Sequence, residues 1–185
     1  MSYDLYSYRP STTTPSTEEA LATISSEEDS VFRDDDEART TKEKIATALV
    51  ELNPKLERFI IDFEQVCKSQ NISMDEARTR LNHIELNPPD GDLAVQLTVQ
   101  WDHVCLTFPY WYSGVERDAV FGLALEYLRV IRRNEGFFAY DPQTDMAFDP
   151  DKVQVLDHSA YSRIVENLPA IIAQGEAKRP WWKFW

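Results

Sequence analysis

Leu93-Ala94-Val95-Gln96-Leu97-Thr98-Val99-Gln100-Trp101-Asp102-His103-Val104-Cys105-Leu106-Thr107-Phe108 is the stretch that decides the fold. Leu93, Val95, Leu97, Val99 and Trp101 take alternate positions, with Gln96, Thr98 and Gln100 between them, and Val104, Leu106 and Phe108 resume the alternation after Asp102. Successive side chains on a strand point to opposite faces, so a period of two predicts half-buried antiparallel strands with one face on a core. The two runs are close enough to pair as a hairpin turning near residues 101–103. Pro88-Pro89-Asp90-Gly91 ahead of them is turn chemistry.

Upstream, Ser2-Tyr3-Asp4-Leu5-Tyr6-Ser7-Tyr8 is dense in aromatics and reads as a first strand, with Tyr3, Leu5 and Ser7 on one side and Asp4, Tyr6 and Tyr8 on the other. After the break at Pro10 to Pro15, Ser16 or Thr17 can cap a short helix over about 18–25. Lys42 to Cys67 carries Ile45, Leu49, Leu52, Leu56, Phe59, Ile60, Phe63 and Cys67 at helical spacing. Asn53-Pro54 interrupts that stripe and predicts two helices or one sharp kink. Ser73-Met74-Asp75-Glu76 has the order of a capping box and predicts a helix to Leu81.

Downstream, Gly114 to Arg133 predicts a long helix with a broad apolar face that includes Val115, Ala119, Gly122, Leu123 and Leu128, stopped by Asn134-Glu135-Gly136. Phe137 to Tyr140 and Met146 to Phe148 flank Asp141-Pro142-Gln143-Thr144, a type I turn signal, and predict a second hairpin. Ser159 to Gln174 predicts a last helix. Hairpins with helices between them imply an α+β fold, an antiparallel sheet of about four to five strands covered by helices on one face. Residues 1–175 read as a single domain with a disordered acidic loop near 26–41, and residues 176–185 as an aromatic tail.

The chain of 185 residues holds 19 basic and 32 acidic residues, a net charge of −13, with 43% hydrophobic residues. That apolar share suffices for one packed core. Residues 1–40 contain 10 acids and 3 bases, more than half of the whole acidic excess. Such a field repels phosphate backbones, which excludes nucleic acid as the expected partner, and favours encounter with a basic protein. No opening basic-then-apolar leader and no apolar run of about 18 residues occur, so the expected setting is cytoplasmic with no membrane span. Two lone cysteines, Cys67 and Cys105, then read as reduced core residues.

No catalytic constellation is legible. His103 and Cys105 share one face of a strand but lack the further ligands that structural zinc requires, and His83 and His158 stand alone. Asp141, Asp145, Asp149 and Asp151 do not follow the spacing of a calcium loop, and Asp141 and Asp149 each precede a proline, which suits turns. Phosphate-cradling glycine loops and nucleophile elbows are missing from a chain with five glycines. The expectation is of no catalytic residues, no cofactor and no metal. The candidate partner-binding residues are the acids Glu27, Glu28, Asp29, Asp34, Asp35, Asp36 and Glu37, which would steer a partner, and the aromatics Trp181, Trp182, Phe184 and Trp185, which would anchor one.

Met1-Ser2-Tyr3-Asp4-Leu5-Tyr6 and Phe138-Ala139-Tyr140-Asp141-Pro142-Gln143 together resemble small bacterial proteins whose first strand reads Ser-Tyr-Asp-Leu and whose late hairpin carries Tyr-Asp-Pro-Gln. Some of these look like immunity partners of polymorphic toxins or of type VI secretion systems. The resemblance covers about a dozen residues, both motifs are structural, and it transfers no functional residue. It implies a non-catalytic protein-binding domain, an immunity protein occluding a basic toxin domain. The alternative is an assembly subunit that forms a homo-oligomer through its aromatic tail, and the third reading is a hydrolase.

Overall fold

The computed structural model describes residues 2–25 and 33–174. In chain order the elements are β1 (Ser2–Tyr8), α1 (Thr17–Ile24), α2 (Asp36–Leu52), β2 (Glu57–Arg58), α3 (Phe63–Gln70), α4 (Met74–Arg80), β3 (Ile84–Asn87), β4 (Gln96–Val99), β5 (His103–Pro109), α5 (Gly114–Glu135), β6 (Phe138–Asp141), β7 (Met146–Phe148) and α6 (Ser159–Gln174). The strands form one antiparallel sheet in the order β2-β3-β4-β5-β1-β6-β7. The fold is α+β, with seven strands instead of four to five.

β1 is an interior strand, paired along its whole length with β5 and at its end with β6. Its alternation therefore feeds both faces. Tyr3 and Leu5 join Leu86, Leu97, Leu106 and Phe108 under α2 and α5, in a core completed by Ile45, Leu49, Phe121, Leu128 and Ile131. Tyr3, Phe108, Phe121 and Tyr161 stack or meet edge to face with centroids 5.2–6.1 Å apart. The Tyr161 hydroxyl donates to the Pro109 carbonyl and accepts from the Tyr112 N–H, fixing the first turn of α6 to the end of β5.

Helices do not all lie on one side. Tyr8, Phe138 and Tyr140 project from the other face and bury Ala20 of α1. Three aromatics on the second face need cover, and α1, capped by Ser16, one of the two residues its sequence offered, provides it.

Three expectations are corrected. The acidic loop ends earlier than residue 41, because Asp35 caps α2 by accepting from the Ala38 N–H and Asp36 and Glu37 occupy the first helical turn, where negative charge is favourable. The helical stripe does not run on to Cys67. Past Pro54 the chain becomes the edge strand β2, leaving Phe59 and Ile60 54% and 86% exposed. On α5 the buried face is Val120, Phe121, Ala124, Leu125, Tyr127, Leu128 and Ile131, while Val115, Ala119 and Gly122 are exposed.

Candidate functional site

The sheet's second face divides in two. One part lies beneath α1; the other, running from β1 across β5, β4 and β3 to β2, carries polar side chains in register. Glu85 stands beside Thr98, Thr98 beside Cys105 and Cys105 beside Tyr6. The next row holds Asn87, Gln96, Thr107 and Asp4, with Glu57 opposite Asn87 at the edge. Every one of these residues is partly or fully exposed. Glu85 accepts from Asn87 Nδ2 at 2.9 Å and Gln96 Nε2 at 2.6 Å, which orders its carboxylate. One step beyond β2, the Phe59 N–H donates to the Glu85 carbonyl, so this exposed aromatic borders the polar rows.

No lysine or arginine occupies these strand positions. Asp4, Glu57 and Glu85 have no ion-pair partner among the described residues. The result is an acidic sheet surface, about 19 Å from β2 to β1 at ~4.8 Å per strand.

The reactive groups near it are restrained. Burial, opposed in part by a hydrogen bond with Thr107, pushes the Cys105 thiol up to about 11, so it stays protonated at neutral pH and is a poor nucleophile. Burial also raises the facing Tyr6 hydroxyl. His103 does not engage Cys105 but places Nδ1 2.9 Å from Asp102 Oδ1, both residues being buried at the β4–β5 turn. His83 is held below its ordinary value by burial, with Lys42 adding to the effect, and His158 lies 3.5 Å from Asp118 on α5. Among the described residues no three or more histidine, cysteine or carboxylate side chains are grouped to hold a metal ion.

The four aspartates of the β6–β7 region serve the fold. Asp141 accepts from the Tyr3 hydroxyl and the Gln143 N–H. Asp145 turns the chain at φ 55° and accepts from the Tyr140 hydroxyl. Asp149 accepts from Arg132, and Asp151 pairs with Arg133.

Of the acidic candidates, Asp34, Asp35, Asp36 and Glu37 sit at the start of α2 among cations. Asp34 and Asp36 pair with Arg39, and Asp35 and Glu37 with Arg33. Lys42 adds a third cation, 3.9 Å from Asp34. Four negative charges are thus set against three positive ones, and much of the field this segment would project is cancelled locally. Arg33 also stacks on the Trp101 ring, its guanidinium carbon 4.7 Å from the centroid, with Arg9 at 5.4 Å. Glu27, Glu28, Asp29, Trp181, Trp182, Phe184 and Trp185 lie outside the described residues.

The polar sheet rows were legible only in part. Thr98, Cys105 and Thr107 follow from the quoted alternation, but Glu57, Phe59 and Glu85 arrive through β2 and β3, whose runs are too short to signal strands. Two surface clefts complete the picture: one of 680 Å³ between α2 and α5, lined by Arg39, Glu43 and Lys44 among others, and one of 380 Å³ beside the start of α5. Searches against family models, curated proteins and solved structures found no match to this chain.

Proposed function

We propose that this domain is a non-catalytic protein-binding module that docks a basic protein through the polar half of its second sheet face, as an immunity protein occluding a toxin domain would. The observation that carries this reading is Asp4, Glu57 and Glu85 on one sheet face whose rows hold no lysine or arginine, bordered by exposed Phe59. An open sheet face suits a macromolecule, since small molecules are held in concave sites that bury most of their surface. An aromatic anchor beside ordered polar groups matches the composition of binding hot spots, and unpaired carboxylates speed the encounter with a basic surface. The thin sequence resemblance to toxin-immunity partners points the same way.

The test is co-expression with the product of the adjacent gene, scored by cell growth. Restored growth with the native chain, lost with Glu57→Lys/Glu85→Lys, supports the reading. Growth unaffected by the reversal, or an adjacent product that is neither toxic nor bound, overturns it.

A further inference from the structure

Helical geometry divides the first three turns of α5 into three sides. At 3.6 residues per turn, Glu116 and Leu123 share one side, Val115, Ala119 and Gly122 the next, and Asp118 the side beyond. Glu116 and Leu123 line the 380 Å³ cleft, together with Tyr112, Asp92 and Leu93. Asp118 meets His158 next to the start of α6. The exposed side between them is apolar, with Val115 84% exposed, and Trp111, 64% exposed, lies in the segment that leads into α5. An apolar path therefore leads from α6 over α5 to a cleft walled by Tyr112, Leu93 and Leu123 and edged by two carboxylates.

We propose that residues 178–185, Lys-Arg-Pro-Trp-Trp-Lys-Phe-Trp, dock along this path within the same molecule, with an indole of Trp181 or Trp182 seated against Tyr112 and Leu123 and a cation of Lys178, Arg179 or Lys183 at Glu116 or Asp92. Charge favours this occupant. The segment carries three cations and no acid, whereas the cleft offers Glu116, which has no ion pair among the described residues, beside Asp92, which Lys55 already pairs at 2.9 Å.

The tail is long enough to cover most of the distance that α6 can place between Gln174 and the cleft. Tyr161 bonds Tyr112 directly, and the helix from there to Gln174 is about 20 Å long. The seven residues from Gln174 to Trp181 span up to about 23 Å when extended, and four more residues follow Trp181. Tethering presents the segment at roughly millimolar effective concentration, so docking in the same molecule outcompetes docking between dilute copies. Each tryptophan can bury ~150–250 Å² on such a surface.

Zero-length carbodiimide cross-linking of the full chain, in an equal mixture of unlabelled and nitrogen-15-labelled protein, tests this directly. The expected product joins Lys178 or Lys183 to Glu116 or Asp92 with both peptides of one isotopic kind, and the link to residue 116 disappears in Glu116→Gln. Links of mixed isotopic kind would show docking between copies, and an absence of these links, or links to Glu57 or Glu85 instead, would show another site; either overturns the proposal. Hydrogen exchange gives a second reading. Trp181→Ser/Trp182→Ser should cost the amides of residues 91–95 protection, and unchanged exchange contradicts docking in the cleft.

Discussion

The Tyr3 hydroxyl donates to Asp141 Oδ2 at 2.7 Å, joining residues 138 apart in the chain and closing β1 onto the β6–β7 turn. Both side chains are buried, and Asp141 also accepts from the Gln143 N–H, so one carboxylate holds the turn and the strand together. Removing the hydroxyl leaves a buried acceptor short of a donor while the ring stays in the aromatic cluster. Tyr3→Phe should lower stability by about 1–3 kcal/mol, read by urea denaturation. A change under ~0.5 kcal/mol would show that water replaces the hydroxyl.

Asp149 lies between the end of α5 and the chain after β7. Burial works to raise its carboxyl, but hydrogen bonds from Arg132 and from the Asp151 N–H prevail and hold it below the ordinary aspartate value. A depressed carboxylate contributes stability above its unfolded pKa of about 3.9 and loses it as pH falls through the lower folded value. Stability should therefore fall as pH drops below ~4, and Asp149→Asn should flatten that decline while lowering stability at pH 7. Parallel acid-unfolding curves for the two proteins would contradict this.

Cys105 should resist alkylation in the folded protein. A thiol at about 11 instead of ~8.5 carries on the order of a hundredfold less thiolate at pH 8, before access is counted. Iodoacetamide labelling followed by peptide mass spectrometry should find Cys105 modified at least that much more slowly in the native chain than in urea. Equal rates would place it outside the sheet.

The corrected orientation of α5 is open to test by two substitutions. Phe121, 2% exposed amid four other rings, should cost ~3–5 kcal/mol on change to Ala. Val115→Ser, on the exposed side, should cost no more than ~0.5 kcal/mol. The reverse ranking would restore the face expected from the sequence.

That reversal shows where sequence reading held and where it failed. β1, the β4–β5 hairpin and the capped starts of α1 and α4 were legible because strong local signals agreed with tertiary structure. Val115, Ala119 and Gly122 were misassigned because a helix of 22 residues packed on several neighbours has more than one plausible apolar stripe, and only the position of the sheet decides between them. β3 offers two apolar residues between Asn82 and Pro88, and β2 lies inside a run whose helical spacing was fortuitous. The acidic sheet face depends on both short strands, so half of it could not be seen. The charge run at 34–37 looked like a free acidic surface because spacing does not reveal that Arg33 and Arg39 fold back on it.

The most direct test of the acidic sheet face is calorimetry on the purified complex with the adjacent gene product at two salt concentrations. Charge reversal at Glu57 and Glu85 should weaken binding at least tenfold and reduce its salt dependence, with Phe59→Ala costing upwards of ~1 kcal/mol in affinity. Neutralising Asp34 and Glu37 should leave affinity within a factor of a few. If instead the 34–37 variant loses binding and the sheet-face variants keep it, the partner docks at the start of α2 and the account is wrong.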